Sequence, residues 1–278
     1  MLEINALPPR AKLLLRGDDT HKGLYGGVAV IGGAHGMTGA ALLAGRAALN
    51  LGAGKIWVGM LDENVAVDFH QPELMICRAE ALFQTHLPTH FLVGMGLGMS
   101  PEANHVLALA MDTSVPLLLD ADALNLIALH PHLQLQLAER SAPSLLTPHP
   151  SEAARLLSTT TEHVQQDRVS AVRTLSERFQ CHVVLKGHGT LVQAFEGELS
   201  INHSGNAALS SAGQGDTLAG IIMALCAQGL DLALAARCGV FLHGQAADDW
   251  RTRYHAGIGL TASETILLAR AALNRLLK

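Results

Sequence analysis

The chain has 278 residues, of which 49% are apolar and 15% are charged, and its formal net charge is −5. This composition excludes an intrinsically disordered protein, because such chains lack the apolar residues that build a core. Nucleic acid is not expected as a partner, since the balance is acidic and aromatic residues make up only 4%, too few for base-stacking platforms.

Three further features predict a soluble cytoplasmic protein with no membrane partner. The first five residues, MLEIN, do not form a signal peptide, and no apolar run reaches transmembrane length. The four cysteines have no C-x-x-C spacing and are expected to be buried and reduced. The fifteen histidines form no H-E-x-x-H motif or Cys/His array, so the sequence assigns no metal ligands.

After an N-terminal arm at residues 1–20, apolar runs alternate with helical patterns to the end of the chain. The predicted strands are residues 28–31, 55–59, 90–93, 115–119, 144–146, 181–185 and 191–195. The predicted helices are residues 38–50, 151–157, 163–179, 231–250 and 260–277, with another from Thr217. We therefore expect residues 1–278 to form one α/β domain, with a largely parallel central sheet flanked by helices on both faces.

Several segments at predicted strand ends carry polar or glycine residues that could face a ligand. The small residues of helix 38–50 indicate close packing against a sheet or a ligand. Residues 94–98, GMGLG, follow a strand, but they do not complete the G-x-G-x-x-G fingerprint of dinucleotide-binding folds. Residues 120–125, DADALN, place two carboxylates at a strand end, where Asp122 could cap a helix and Asp120 could hold water or a metal.

Two further segments suggest ligand contacts. In residues 147–152, TPHPSE, two prolines fix the backbone around His149, which favours a ligand contact for that side chain. Glu152 is predicted to cap the helix that follows. Residues 186–190, KGHGT, form a glycine turn whose lysine can meet a phosphate as a point charge, assisted by backbone N–H groups. A simple hairpin would explain the glycines but not Lys186 and Thr190 together.

The stretch at residues 202–223, NHSGNAALSSAGQGDTLAGIIM, is the most informative in the chain. Its glycines at 213 and 215 permit close backbone approach, and Asp216 follows at the start of an apolar helix. The unpaired N–H groups and the dipole of a helix N-terminus attract anions and should favour the ionised form of Asp216. Taken alone, the four residues 213–216 could equally be a turn with a capping aspartate.

This stretch resembles the Gly-x-Gly-Asp anion-hole motif of the ribokinase-like superfamily and, more closely, of the ADP-dependent NAD(P)H-hydrate dehydratases. Gln214 replaces the usual threonine of that family, and Ala212 stands where a glycine is common. The His-Lys-Gly lead at residues 21–23, the small-residue helix and the segments around His149 and Lys186 occur in the family's order. The family's frequent epimerase domain has no counterpart, which predicts a stand-alone dehydratase.

The resemblance implies dehydration of hydrated NADH or NADPH back to the reduced cofactor, with ADP and Mg²⁺ as cofactors. It implies Asp216 as the catalytic residue. The implied substrate contacts are Ala41, Gly96, His149 and Asp216, and the implied nucleotide contacts are Lys186, Gly187, His188, Gly189, Thr190 and Gly215. For Ala41, helix-to-sheet packing is an equally natural role. A homo-oligomer is expected, with a homotetramer among its candidate forms.

Two other functions stay open at this level. A ribokinase-like small-molecule kinase would use the same aspartate to deprotonate a hydroxyl that attacks the γ-phosphate of ATP. A catalytically silent sensor would bind the nucleotides without turning them over. The order of the motifs and the presence of His149 favour the dehydratase.

Overall fold

The computed structural model describes residues 1–84 and 88–278, and it contains a ten-stranded sheet. The strands are β1 (Leu2–Ile4), β2 (Gly27–Gly32), β3 (Lys55–Met60), β4 (Met75–Arg78), β5 (His90–Val93), β6 (Leu117–Leu119), β7 (Ser144–Leu146), β8 (His182–Leu185), β9 (Thr190–Gln193) and β10 (Leu199–Asn202). Their order across the sheet is β1-β10-β9-β8-β7-β6-β5-β2-β3-β4. Neighbouring strands are parallel, except where β9 pairs with β8 and with β10.

Helices cover both faces of the sheet. In the described ranges they are α1 (Thr38–Asn50), α2 (Pro101–Met111), α3 (Asp122–Leu129), α4 (Pro131–Ala138), α5 (Pro150–Leu157), α6 (Thr161–Gln166), α7 (Arg168–Phe179), α8 (Gln214–Ala227), α9 (Leu232–Arg253) and α10 (Ala262–Leu276). Helices α1, α8, α9 and α10 share one apolar core, and α2 to α7 share the other. Successive side chains of β2 enter opposite cores, which explains its uninterrupted apolar sequence.

The predicted fold class is confirmed: the protein is α/β, with a largely parallel sheet between two helical layers. The predicted bounds of α1, β5 and β7 match the structure residue for residue. These elements were easy to find because glycine or proline residues punctuate the chain near their ends.

Strands β4 and β10 were not predicted, and other elements differ from their predicted form or bounds. The first residues are more than an arm, because Leu2–Ile4 pair with β10 as an edge strand and Pro9–Leu14 form a 3-10 helix. The single helix predicted at residues 163–179 is two helices, because Asp167 leaves helical geometry and its carboxylate caps α7 by accepting from Ser170 N. Helix α8 begins at Gln214, three residues before the predicted start.

The topology brings the candidate segments to one edge of the sheet. The strands β2, β5, β6, β7 and β8 are parallel neighbours, so the loops that follow them emerge at the same edge. Ligands of open α/β sheets bind at this carboxyl edge. The fold therefore collects loops that are far apart in sequence around a single cleft.

No described helix is both long enough and apolar enough to cross a membrane. All four cysteines are free, as predicted, and Cys181, Cys226 and Cys238 are buried. Cys77 is only half-buried.

Candidate active site

The N-terminus of α8 forms the base of the cleft. Gly213 precedes the helix with φ +83°, a left-handed conformation that favours glycine, and no side chain caps the helix end. The carbonyl of Gly213 accepts from Thr217 N at 3.0 Å. The amides of residues 214–216 therefore precede the first intrahelical bond and point out of the helix end, where they can donate to an anion.

Asp216 lies in the first turn of this helix. Burial, reinforced by the carboxylate of Asp120, raises its pKa to about 7, and the opposing attraction of Lys186 is weaker. The expectation that the ionised form of Asp216 would be favoured is therefore wrong, because burial and the neighbouring Asp120 carboxylate both disfavour the charge. A carboxyl group with this pKa exchanges its proton near neutral pH.

Lys186 and Asp120 join the loops that follow β8 and β6. Lys186 Nζ lies 2.8 Å from Asp120 Oδ1, and the Asp120 side chain is only 2% exposed. Burial opposes the charge of Lys186, but the carboxylates of Asp120 and Glu152 outweigh it and raise the pKa of the ammonium. Asp120 is thus the partner of the candidate phosphate-binding lysine, a role that the sequence did not reveal.

Gly215 brings the helix end close to this ion pair. A Cβ atom at Gly215 would lie 3.4 Å from Lys186 Nζ and 3.7 Å from Asp120 Oδ2. A side chain longer than a methyl group would therefore displace the lysine. The absence of a side chain lets the amides of α8 and the ammonium of Lys186 face the same space.

A cavity of about 650 Å³ opens beside these groups. Seven of the predicted site residues line it: His149, Lys186, Gly187, His188, Gly189, Thr190 and Gly215. The rest of its wall comes mainly from residues 202–211 and from α9. The cavity contains every predicted nucleotide contact, so the structure brings that group together.

His149 caps α5, although it was predicted to contact a ligand. Its Nδ1 accepts from Ser151 N at 3.2 Å, and Glu152 returns the interaction by accepting from His149 N at 2.8 Å, which completes a capping box. The predicted capping role of Glu152 is thus confirmed. The His149 Nε2 lies 3.2 Å from Glu152 Oε1, so both ring nitrogens have partners, but the side chain is 48% exposed and borders the cavity, which leaves the ring surface available to a ligand.

Gly96 lies in the loop after β5, away from the cavity lining. It has φ +58°, and a Cβ there would come within 2.6 Å of Met37 O. The loop is tied to the one after β2, because the carbonyls of Met95 and Gly96 accept from Gly33 N and Ala34 N at 3.0 and 2.7 Å. Gly96 is therefore required for the close approach of two backbones.

Ala41 does not reach the cleft surface. It is fully buried in α1, within the core shared with α8. Of the two roles that the sequence left open, the structure shows helix-to-sheet packing and offers no exposed surface for a ligand.

The chain matches the family model described as NAD(P)H-hydrate dehydratase over residues 28–268. It is 44% identical to the ADP-dependent (S)-NAD(P)H-hydrate dehydratase of Neisseria meningitidis, covering 95% of this chain and 90% of that protein. The chain belongs to the NAD(P)H-hydrate dehydratase family. It also spans about half the length of the bifunctional NAD(P)H-hydrate repair enzymes that it resembles.

Solved structures agree with this assignment. The ADP/ATP-dependent NAD(P)H-hydrate dehydratase of Bacillus subtilis, crystallised with ATP and Mg²⁺, has a TM-score of 0.81 at 29% identity, and 96% of each chain is covered. A ribokinase-like superfamily protein of Enterococcus faecalis has a TM-score of 0.83 at 24% identity, covering 96% of this chain and 94% of that one. The fold is therefore ribokinase-like, as the motifs predicted.

Gln214, the residue that departs from the usual dehydratase sequence, has structural partners of its own. Its Oε1 lies 3.2 Å from Nε2 of the buried His243, and its Nε2 donates to Ser211 Oγ at 3.0 Å. Burial lowers the pKa of His243 to about 4, so this imidazole is neutral and donates from Nε2. These bonds anchor the residue between the two glycines, and sequence reasoning missed them because His243 is 29 positions away.

Asp122 connects Asp216 to the glycine loop. Asp122 Oδ2 accepts from Gly98 N at 2.8 Å, and its charge also contributes to the raised pKa of Asp216. It therefore braces the 94–98 loop, whereas it was predicted to cap its own helix. Asp216 directly follows Gly215, which lines the cavity, but Asp216 itself is not among the lining residues.

The site does not build a metal cage. Within residues 1–84 and 88–278, no group of three or more His, Cys, Asp or Glu side chains is placed to hold an ion. Mg²⁺ commonly keeps several waters and binds through one or two carboxylates together with substrate phosphates. The described residues therefore do not suit a site built by the protein alone, but they fit Mg²⁺ binding through one or two carboxylates and the phosphates of a ligand.

Proposed function

We propose that this protein removes water from hydrated NADH or NADPH and restores the reduced cofactor, with ADP bound in the cavity of about 650 Å³. The observation that carries the proposal is the position of Asp216 in the first turn of α8, next to the cavity-lining Gly215, together with its pKa, which is raised to about 7. The ADP-dependent Neisseria relative supports both the reaction and the nucleotide.

The reaction breaks one C–O bond and one C–H bond. The hydroxyl leaves the ring carbon beside the nitrogen as water, a neighbouring carbon loses a proton, and a ring double bond forms. Since the ring nitrogen can push electrons towards the leaving group, the protein mainly positions the substrate and moves protons. Asp216 suits this work, either by accepting the proton in its ionised form or by orienting the hydroxyl.

ADP would occupy the half of the cleft that contains Lys186. Its phosphates would meet the ammonium of Lys186, the 186–190 turn and the N–H group of Gly215. Mg²⁺ would enter with those phosphates, as the Bacillus subtilis structure with ATP and Mg²⁺ suggests, and it would neutralise their charge. Gly96 would bound the substrate on the other side of Asp216, and the exposed part of His149 would lie between the two ligands.

The rival function is a small-molecule kinase, because the ribokinase-like fold also serves phosphoryl transfer. The Lys186–Asp120 ion pair and the amides of α8 suit a phosphate in either case. The family assignment favours the dehydratase. A silent sensor is disfavoured by the pKa of Asp216, because simple binding does not require a proton-exchanging group.

Mass spectrometry of the product separates the three functions. The protein is incubated with hydrated NADH and ADP, and in parallel with ATP. We expect the nicotinamide product to have lost the mass of one water. A product that has gained a phosphoryl group would establish the kinase, and unchanged substrate with measurable ADP binding would establish the sensor.

We also infer a homo-oligomer of single-domain subunits in the cytoplasm. Phe69 and Ile258 are large apolar side chains that are 90% and 83% exposed, and contact with another subunit would cover them. One sheet combines strands from both the first and the later part of the chain, which supports a single domain. The four free cysteines fit a reducing compartment. Light scattering of the purified protein tests for an oligomer, including a homotetramer.

A further inference from the structure

Arg168, the first residue of α7, is bound to the back of the 186–190 turn. Its Nη2 donates to the carbonyls of Leu185 and Lys186 at 3.0 and 3.1 Å, and its Nη1 donates to the carbonyl of His188. One guanidinium thus holds three carbonyls of the segment that leads into and through the turn. Arg168 does not line the cavity, so it acts from behind.

The remaining carbonyl in this run, that of Gly187, is also occupied. Thr190 Oγ1 donates to it at 2.8 Å. The carbonyls of residues 185–188 therefore all accept hydrogen bonds from side chains of the protein itself. Each of these four carbonyls therefore has a hydrogen-bond donor from the protein and does not depend on water or a ligand in the cleft.

The amides of the turn show the opposite situation. The N–H groups of Gly187, His188 and Gly189 donate to no group in the described part of the chain. Gly187 and Gly189 have positive φ values of +129° and +64°, and successive unpaired N–H groups in such a glycine turn can form an anion-binding nest. All three residues line the cavity.

Arg168 is partly buried against the turn, where its terminal nitrogens are bound to carbonyl groups. Its Nε is buried without a partner, and burial lowers the pKa of the guanidinium. A Cβ at Gly187 would lie 3.3 Å from Nη2, so the glycine also lets the arginine approach. A half-buried arginine is costly unless its donors are used, and here the turn takes its terminal nitrogens.

We propose that Arg168 is a positioning residue for the phosphates of ADP. By holding the carbonyls of the 186–190 turn on the protein side, it keeps the three free amides directed into the cavity. This inference rests on the proposed function only for the identity of the anion. Arg168 touches neither ligand and acts entirely through the turn.

The test compares Arg168→Ala and Arg168→Lys with Arg173→Ala as the control. Arg173 is on the same helix but is exposed and has no contact with the turn, so its substitution removes the same charge without the carbonyl bonds. Calorimetry gives the Kd for ADP with no substrate present, and steady-state kinetics give the two KM values and kcat. Thermal unfolding of each variant records any general loss of stability.

For Arg168→Ala we expect the Kd and KM for ADP to rise by at least about tenfold, as for the loss of one or two hydrogen bonds to a charged ligand. The KM for hydrated NADH and kcat at saturating ADP should stay within about twofold. Arg168→Lys should fall in between, because an ammonium keeps the charge but not the planar fork. Arg173→Ala should match the wild type.

Two outcomes would overturn the inference. One is an unchanged affinity for ADP in Arg168→Ala. The other is an equal rise in both KM values together with a lower Tm, which is the signature of a merely structural role. A wild-type protein that binds ADP but leaves hydrated NADH unchanged would refute the proposed function, while the calorimetric comparison would still decide the role of Arg168.

Discussion

The two sides of the cleft are built on different principles. On the nucleotide side, the 186–190 turn and the start of α8 present unpaired N–H groups and one buried ammonium to an open cavity. On the other side, the loops after β2 and β5 form hydrogen bonds with each other, as in the bond from Ala34 N to Gly96 O. Neither Gly96 nor Ala41 lines the cavity. The first side therefore offers free hydrogen-bond donors and a positive charge to an anion, whereas the side near Gly96 is shaped by close backbone packing.

Asp216 is the proposed proton-transfer group, and its substitution should have the largest effect on turnover. In Asp216→Asn, kcat should fall by about 10²–10⁴-fold, the range for loss of a positioned proton-transfer group. The Kd for ADP should change by less than about twofold, because the amides of α8 remain in place. Kinetics and calorimetry measure the two quantities, and a loss of ADP binding would show that Asp216 belongs to the nucleotide side.

The second prediction concerns the charge on the nucleotide side. Lys186→Met should raise the Kd for ADP by at least about tenfold. It should also reduce the free energy of unfolding by about 3–5 kcal/mol, because Asp120 loses the partner of its buried carboxylate. Adding Asp120→Asn should restore much of the stability but not the affinity, as measured by urea unfolding and calorimetry. Recovery of ADP affinity in the double variant would contradict a direct role for Lys186.

The third prediction addresses backbone packing on the other side. Gly96→Ala should destabilise the protein by about 1–3 kcal/mol, because φ is positive and the methyl group would meet Met37 O at 2.6 Å. Gly98→Ala is the matched control. Its φ is also positive, at +75°, but the nearest atom to the new methyl group would be Ala34 Cβ at 3.4 Å. Gly96→Ala should lose more stability and raise the KM for hydrated NADH more than that for ADP. Equal effects of the two substitutions would remove Gly96 from the substrate side.

His149 offers a finer comparison, because it caps α5 and also borders the cavity. His149→Ala should lose about 1 kcal/mol of stability, typical of a lost N-cap, and raise the KM for hydrated NADH by a few fold. His149→Asn keeps a capping side chain without the ring, so it should recover the stability but not the KM. If asparagine restores both quantities, His149 acts only as a cap.

The last prediction concerns stability as the pH rises. The pKa of Asp216 is about 7 in the folded protein and near 3.8 when unfolded, so the folded state holds the proton more tightly. Ionisation therefore costs stability progressively between about pH 4 and pH 7, and the full cost persists above pH 7. Asp216→Asn removes this cost, so it should raise the Tm at pH 8 by about 5–15 °C and leave it unchanged at pH 4. A lower Tm at pH 8 would contradict the raised pKa.

The sequence predicted much of the fold because both faces of the sheet are covered. Strands such as β2 and β5 read as continuous apolar runs that end at glycine, and the glycines before Asp216 marked the start of α8 to within three residues. The short strands β1 and β10, at one end of the sheet, were missed. Each has three or four residues, and their pairing joins positions about 200 residues apart, which leaves no local pattern.

The electrostatics of the site could not be predicted in the same way. The ion pair of Lys186 with Asp120 spans 66 positions, and the raised pKa of Asp216 depends on burial and on carboxylates from another loop. The burial of Ala41 was equally hidden, because alanine suits a helix interface and a ligand contact alike. Local patterns identify the segments of the cleft, but the charge states depend on which segments become neighbours.

The most direct test is the return of reduced-nicotinamide absorbance when purified protein meets hydrated NADH, with and without ADP. We predict recovery of the absorbance with ADP, almost none without it, and almost none with ADP and Asp216→Asn. Recovery at the wild-type rate in the Asp216→Asn variant, or a wild-type protein that leaves the absorbance unchanged with ADP, would contradict a dehydratase that depends on Asp216.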